Sequence, residues 1–331
     1  GSGVTALYYA SLRIRSGDVD TALVIGMEAM SRIPVVYHHT VADLLLQYGK
    51  ARSVRDRAAG ALALIPTLLN LKKYPPRVGL VLGLTDPMCD LIMGLTAENI
   101  AKDPALGITR ADQDMFSVRS HRNAAQAWKD GIFADEVVPM YVPERSAYVG
   151  RDNGIREDAG QETFCTVKPV FDRRHGSVTP ANSSQITDAA AAVLLMEEDK
   201  AKSLGLPILG YVKDYADFGY EPSCMGLAPV GAIAKVLAKT RLTLKDFALW
   251  EINEAFASVV LGISRILNSS SLMESKFGRY GLTERLGEIP PDDLNPHGGA
   301  IALGHPVGVS GLRLAMTSLF ELKRRNAERA M

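Results

Sequence analysis

Residues Asn295 to Gly311, NPHGGAIALGHPVGVSG, place five glycines around His305, and a chain must fold so as to use that spacing. Gly298, Gly299, Gly304, Gly308 and Gly311 let backbone or ligand approach where a side chain would stand in the way. Pro306 fixes its own φ and drives His305 toward an extended conformation, so the imidazole is mounted on a stiff turn. A catalytic base needs such a mounting. The plainer alternative is a glycine-rich turn ahead of a core helix with a structural histidine; the length and order of the segment favour the catalytic one.

About forty residues upstream lies Glu251 to Ala257, EINEAFA, at the end of the apolar run Phe247 to Ile252. An amide and a carboxylate at a strand end, followed by small residues, suit a site where a fixed donor meets developing negative charge. Around these motifs β and α patterns alternate. Thr21–Gly26 reads as a buried strand, Asp188–Met196 as an apolar run of helix or strand type, and Ile208–Asp214 and Ala248–Ile252 as further strands. Leu7, Ala10, Ser11 and Ile14 give helical spacing from about Val4 to Arg15, ended by Ser16 and Gly17. Leu312, Ala315, Met316, Leu319 and Leu322 do the same ahead of Lys323, Arg324 and Arg325, cations suited to a helix C-terminus. This is the grammar of a layered α/β fold.

Zero formal net charge over 331 residues excludes a polycationic nucleic-acid binder, and 47% hydrophobic content can fill a sizeable core. Cys89, Cys165 and Cys224 form no Cys-x-x-Cys and no even framework, which fits a reducing compartment and argues against zinc. His38 and His39 are adjacent and on a helix would not share a face, which disfavours a metal site there. No apolar stretch long enough to span a membrane is present. Between Leu44 and Leu80, Lys50, Arg52, Arg55, Arg57, Lys72, Lys73 and Arg77 stand against the single acid Asp56, interleaved with Leu62, Leu64, Ile65, Leu68, Leu69 and Leu71. Such a stretch either contacts an anionic membrane, phosphorylated ligand or partner, or forms the solvated face of a packed helix.

Taken together in this order, EINEAFA and GGAIALGHPVGVSG resemble the thiolase family. The likeness extends over nearly the whole chain: Gly1 to Ala10 and Gly17 to Ser31, then Met93 to Asn99, Arg110 to Asp114 and Gly176 to Ala192, are similar to family blocks in family order. Ser120 to Trp128, Asp152 to Arg156 and the long stretch between Phe256 and Gly298 resemble the β subunits of fatty-acid-oxidation complexes. Those subunits commonly carry His-Glu-Ala-Phe where this chain has Asn253-Glu-Ala-Phe.

The resemblance implies the thiolase fold: two pseudo-symmetric βαβαβαββ-type halves layered α/β/α/β/α, with a loop domain inserted in the first. Residues 1–32 and 167–200 would be the remnant of the N-terminal half, 33–166 the inserted loop domain, and 201–331 the C-terminal half without its last strands. In thiolases the nucleophilic cysteine immediately precedes the Gly-Ser-Gly that opens this sequence, at a helix N-terminus that favours a thiolate. The second cysteine lies in a Cys-x-Gly-Gly-x-Gly motif just past the position of Met331. Neither motif falls within the 331 residues, so the chain is expected to be truncated at both ends and inactive by itself.

By the same resemblance His305 is the base that activates the thiol, and with Asn253, through a water, it lines the oxyanion site. Ala255 and Phe256 would shape the acyl and pantetheine tunnel. Met93 and Ala232 would border the pantetheine arm, and Gly304 belongs to the substrate-binding turn. Ile92 and Ile233 replace a histidine and a serine of simpler thiolases, against a short-chain preference. The implied reaction is thiolysis of 3-ketoacyl-CoA by CoA to acetyl-CoA and a shortened acyl-CoA, with CoA as substrate and no bound metal or redox cofactor. The alternatives are a biosynthetic acetoacetyl-CoA thiolase or condensing enzyme, whose usual His-Gly-Thr-x-Thr motif is absent, and a non-catalytic CoA-binding scaffold subunit. Implied partners are a second copy of the chain, an α subunit of a β-oxidation complex, and a membrane surface through residues 44–80, with no nucleic acid. The expected compartment is the bacterial cytoplasm, with the mitochondrion as alternative.

Overall fold

The computed structural model describes all of residues 1–331, which gather into two compact units, Gly1–Ala29 with Gly94–Met331, and Met30–Met93. In chain order the longer elements are α1 (Ser2–Arg15), β1 (Thr21–Ala29), α2 (His39–Lys50), α3 (Val54–Leu69), α4 (Met93–Ala101), α5 (Arg110–Lys129), β2 (Asp188–Met196), α6 (Ala228–Thr240), α7 (Ala257–Leu267), α8 (Ser270–Phe277) and α9 (Ser310–Arg325). Of the segment 33–166 read as an insertion, residues 33–93 fall in the smaller unit and 94–166 pack within the larger one.

The larger unit is built around α7. Its Val260, Ile263, Ile266 and Leu267 recur at helical spacing and are fully buried, together with Trp250, Val230, Met273 and Phe277. α5 starts at a capping box: Thr109 Oγ1 accepts from Asp112 N at 3.1 Å while Asp112 Oδ2 accepts from Thr109 N at 2.9 Å. The same carboxylate pairs with Arg265 of α7 at 2.8 Å, which fixes the two helices against each other. α9 ends as its sequence predicts, with Lys323, Arg324 and Arg325 in the last turn and Asn326 in the left-handed region at φ 51°.

Three strand expectations come out differently. β1 pairs antiparallel with β2 from Thr21 opposite Met196 to Ala29 opposite Asp188, but it is buried on one face only. Val24 packs with Leu7 of α1 and Leu312 of α9, whereas Leu23, Ile25 and Met27 are exposed. Residues 208–214 are extended without a sheet partner; the Arg15 guanidinium instead holds the carbonyls of Val212 and Lys213. The run 248–252 pairs over one residue on each side, Leu249 beside Ala330 and Trp250 beside Leu294, both parallel. Alternation and β-branched content describe an extended chain but do not name its neighbour.

In the smaller unit α2 and α3 bury Val41 and Leu64, while Leu62, Ile65, Leu69 and Leu71 face outward. His38 is the N-cap of α2 rather than a helical residue. The two adjacent imidazoles therefore lie with ring centres 4.0 Å apart, contrary to the expectation that they diverge. No helix of the molecule is long and apolar enough to cross a membrane.

The N-terminal turn of α1 lies backbone to backbone against the start of α9. A Cβ on Gly311 would stand 2.8 Å from the Val4 nitrogen, and one on Gly3 would stand 3.0 Å from the Gly308 carbonyl oxygen and the Leu312 nitrogen. Backbone cannot yield as a side chain can. Gly311→Ala is expected to lower stability by about 1–3 kcal/mol, read as a shift of the urea midpoint at unchanged slope.

Candidate functional site

Asn253 and His305 come together. The Asn253 amide nitrogen lies 3.4 Å from both ring nitrogens of His305, and the ring's Nδ1 is 2.6 Å from Ser310 Oγ. That hydroxyl donates to the Pro306 carbonyl at 3.2 Å. With its proton so placed, Ser310 accepts from Nδ1–H, which leaves the His305 Nε2 lone pair as the basic one. Gly304, directly before the histidine, is buried at φ 93° with its α-carbon against the Thr187 side chain, so no residue with a Cβ fits there.

What holds this turn is the carboxylate of that polar pair, which the sequence placed at the site beside the amide. Glu254 is buried and accepts from Ser120 Oγ of α5 at 2.6 Å, from Asn295 Nδ2 at 2.7 Å and from Ile301 N at 3.4 Å. Asn295 also clamps residue 252, accepting from its N–H and donating to its carbonyl, each at 2.8 Å. On the other side Gly308 N donates to Glu28 of β1 at 3.0 Å. Of the polar pair Asn253–Glu254, therefore, only the amide faces His305. The carboxylate is turned inward.

The remaining residues expected at the site are placed as follows. The Ala255 carbonyl accepts from Ser184 N at 2.9 Å, and Phe256 bridges Ser183 and meets Phe171 edge-on at 6.0 Å. Ala232 is half-buried in the second turn of α6. Met93 belongs to the smaller unit, where its N–H donates to the Leu84 carbonyl. Cys165 is exposed, Cys89 lies in the smaller unit, and burial pushes the Cys224 thiol up, the reverse of an activated nucleophile. The N-terminal turn of α1, in contrast, packs against the turn that carries His305: a Cβ on Gly3 would stand 3.0 Å from the Gly308 carbonyl oxygen.

Residues 1–199 match the thiolase N-terminal domain and residues 206–331 the thiolase C-terminal domain. The chain belongs to the thiolase family. It is 38% identical over 320 residues to the 3-ketoacyl-CoA thiolase of Pseudoalteromonas translucida, covering 96% of this chain and 70% of that one. To the Yersinia enterocolitica 3-ketoacyl-CoA thiolase it is 37% identical over 313 residues, 94% of this chain and 69% of that protein. Human mitochondrial 3-ketoacyl-CoA thiolase in complex with CoA superposes with a TM-score of 0.80 at 31% identity, over 100% of this chain and 71% of that one. Acetyl-CoA acetyltransferase from Syntrophomonas wolfei also reaches 0.80 at 31% identity, over 99% and 72%. The thiolase fold and an acyltransferase of the acetyl-CoA C-acyltransferase type follow.

In this thiolase, burial pushes the His305 imidazole down to about 4, helped by the Arg313 guanidinium. Burial likewise takes His121 to about 4; its Nδ1 accepts from Arg156 N at 3.1 Å. Both rings are thus neutral at physiological pH, the state a base requires. Between about pH 4 and 6.5 the folded chain binds fewer of these protons than the unfolded one, so stability falls as pH falls through that window. Thermal melts across it are expected to show this slope, made shallower by His305→Gln; a variant slope equal to the parent's would show that the ring is not buried neutral.

Proposed function

We propose that this thiolase is degradative and cleaves 3-ketoacyl-CoA with CoA into acetyl-CoA and a shortened acyl-CoA. The observation that carries the reading is the His305 ring, tied through Nδ1 to Ser310, with its basic Nε2 beside the Asn253 amide and the N-terminal turn of α1 packed against the same turn. The bacterial relatives named 3-ketoacyl-CoA thiolase support the degradative direction, and a human relative crystallised with CoA supports CoA as the co-substrate.

In this reading a thiol directly before Gly1 gives its proton to His305 Nε2, and its sulfur attacks the 3-keto carbon. Asn253, which keeps a buried carbonyl oxygen without a partner, helps to hold the developing oxyanion with His305 through a water. Cleavage of the bond between C2 and C3 leaves the acyl group on sulfur, and protonation of the released carbanion, assigned to a second cysteine, gives acetyl-CoA. CoA thiolate then takes the acyl group and frees the enzyme thiol. Acyl transfer between sulfur atoms moves no net electrons, so the chemistry calls for no redox cofactor. Ala255, Phe256, Ala232 and Gly304 are assigned to the substrate walls. A homodimer, or a complex with an α subunit, in the bacterial cytoplasm completes the reading, and the basic stretch 44–80 is its membrane-facing element.

The test is the acylation half-reaction. A chain with a cysteine placed directly before Gly1 is incubated with acyl-CoA, and covalent acylation is followed by intact mass. Acylation is expected, with a rate lower by about 10²–10⁴ in His305→Ala. A thiol that stays free while CoA still binds would favour the non-catalytic scaffold, and equal rates with and without the imidazole would refute the assignment of the base.

A further inference from the structure

Behind Asn253 and His305 the same two segments bring up a second pair. Glu251 precedes Asn253 by two residues in an extended stretch, and Arg313 follows Ser310 by one turn of α9, so each stands on the same side of its segment as the front residue. Arg313 Nη1 approaches Glu251 Oε2 to 3.6 Å. Both carboxylate oxygens of Glu251 and both terminal nitrogens of Arg313 are buried, and none has a hydrogen-bond partner.

Three of the carboxylates around this pair have partners of their own. From α9, Glu321 is held by His297, Arg324 and Arg325. Glu136, at the end of the turn after α5, accepts from Thr317 and Arg324. Glu254, on the same segment as Glu251, is taken up by Ser120 and Asn295, while Asp152 is drawn by the Arg313 and Arg151 charges against its own burial. Of these carboxylates only that of Glu251 comes within ion-pair distance of Arg313. Arg313 lies one helical turn beyond Ser310, whose hydroxyl holds the His305 ring, and its charge disfavours a proton on that ring.

We propose that Arg313 is a positioning residue for His305: its guanidinium opposes a second positive charge on the imidazole, and Glu251, by losing or regaining a proton, turns that opposition down or up. Burial pushes the Glu251 carboxyl up to about 8, with Arg313 pulling the other way. Through neutral pH the carboxyl keeps its proton, the guanidinium acts at full strength, and the ring remains a neutral base. The proposal builds on His305 as the base, but its test does not, because the ring titrates whether or not it catalyses.

The experiment is an NMR titration of the His305 resonances, assigned by their loss in His305→Gln. The unaltered chain is expected to show an acidic step below the ordinary histidine range and a smaller step near pH 8 as Glu251 ionises. Arg313→Gln should move the acidic step up by about one unit, while Arg313→Lys, which keeps the charge, should leave it near the parent's. Glu251→Gln, the same shape without the titration, should abolish only the alkaline step. An unmoved acidic step in Arg313→Gln, equal shifts in the two arginine variants, or an alkaline step that survives Glu251→Gln would each overturn the proposal. If Arg313→Gln does not fold, Glu251→Gln decides alone.

Discussion

Glu254 places a carboxylate inside the protein and surrounds it with donors from two separate stretches of chain: Ser120 on α5, and Asn295 and the N–H of Ile301 in the glycine-rich segment. A charge taken out of water is tolerated only where such donors replace its solvent. Burial still pushes the Glu254 carboxyl up, and the donors work against that shift. Everything at the site hangs on this arrangement. It fixes the turn from Asn295 to Ile301, which in turn sets where Gly304 and His305 emerge, while Asn295 ties the same turn to residue 252 just ahead of Asn253.

The second constraint is close packing without side chains. Gly3 and Gly311 bring α1 and α9 into backbone contact, so the N-terminus of α1 ends beside the His305 turn rather than a side chain's width away. A helix N-terminus carries partial positive charge, and the guanidinium of Arg313 carries a full one. A neutral imidazole is the form that such surroundings favour. Burial of His305 acts in the same direction. The features that make the ring a usable base are thus the ones that make its protonation costly to the fold.

Much of this was legible in the chain. The glycine spacing and Pro306 announced a rigid turn carrying His305, and EINEAFA announced its partner Asn253, because both depend on local backbone geometry that residue type dictates. Helices α1 and α9 were readable from apolar spacing and from the residues that end them. The inward turn of Glu254 was not: a carboxylate beside Asn253 looks like a site residue until the donors from α5 and Asn295 are seen around it. The open face of β1 and the unpaired run 208–214 were misjudged for a related reason, since an apolar extended segment has the same sequence whether or not a neighbour covers it.

The sequence by itself determined the family, the layered α/β character and the two residues that face each other at the centre of the site. Those follow from short-range pattern, in which glycine, proline and apolar period act on a few neighbouring residues. Only the tertiary structure decided which nitrogen of His305 is the basic one, that Ser310 holds the other, and that Glu251 meets Arg313 behind them. Each of these is a contact between groups whose partner is set by how α9 lies against the segment 248–254. Hydrogen bonds and charge pairing over a few ångströms depend on that placement, and no residue in either segment carries it alone.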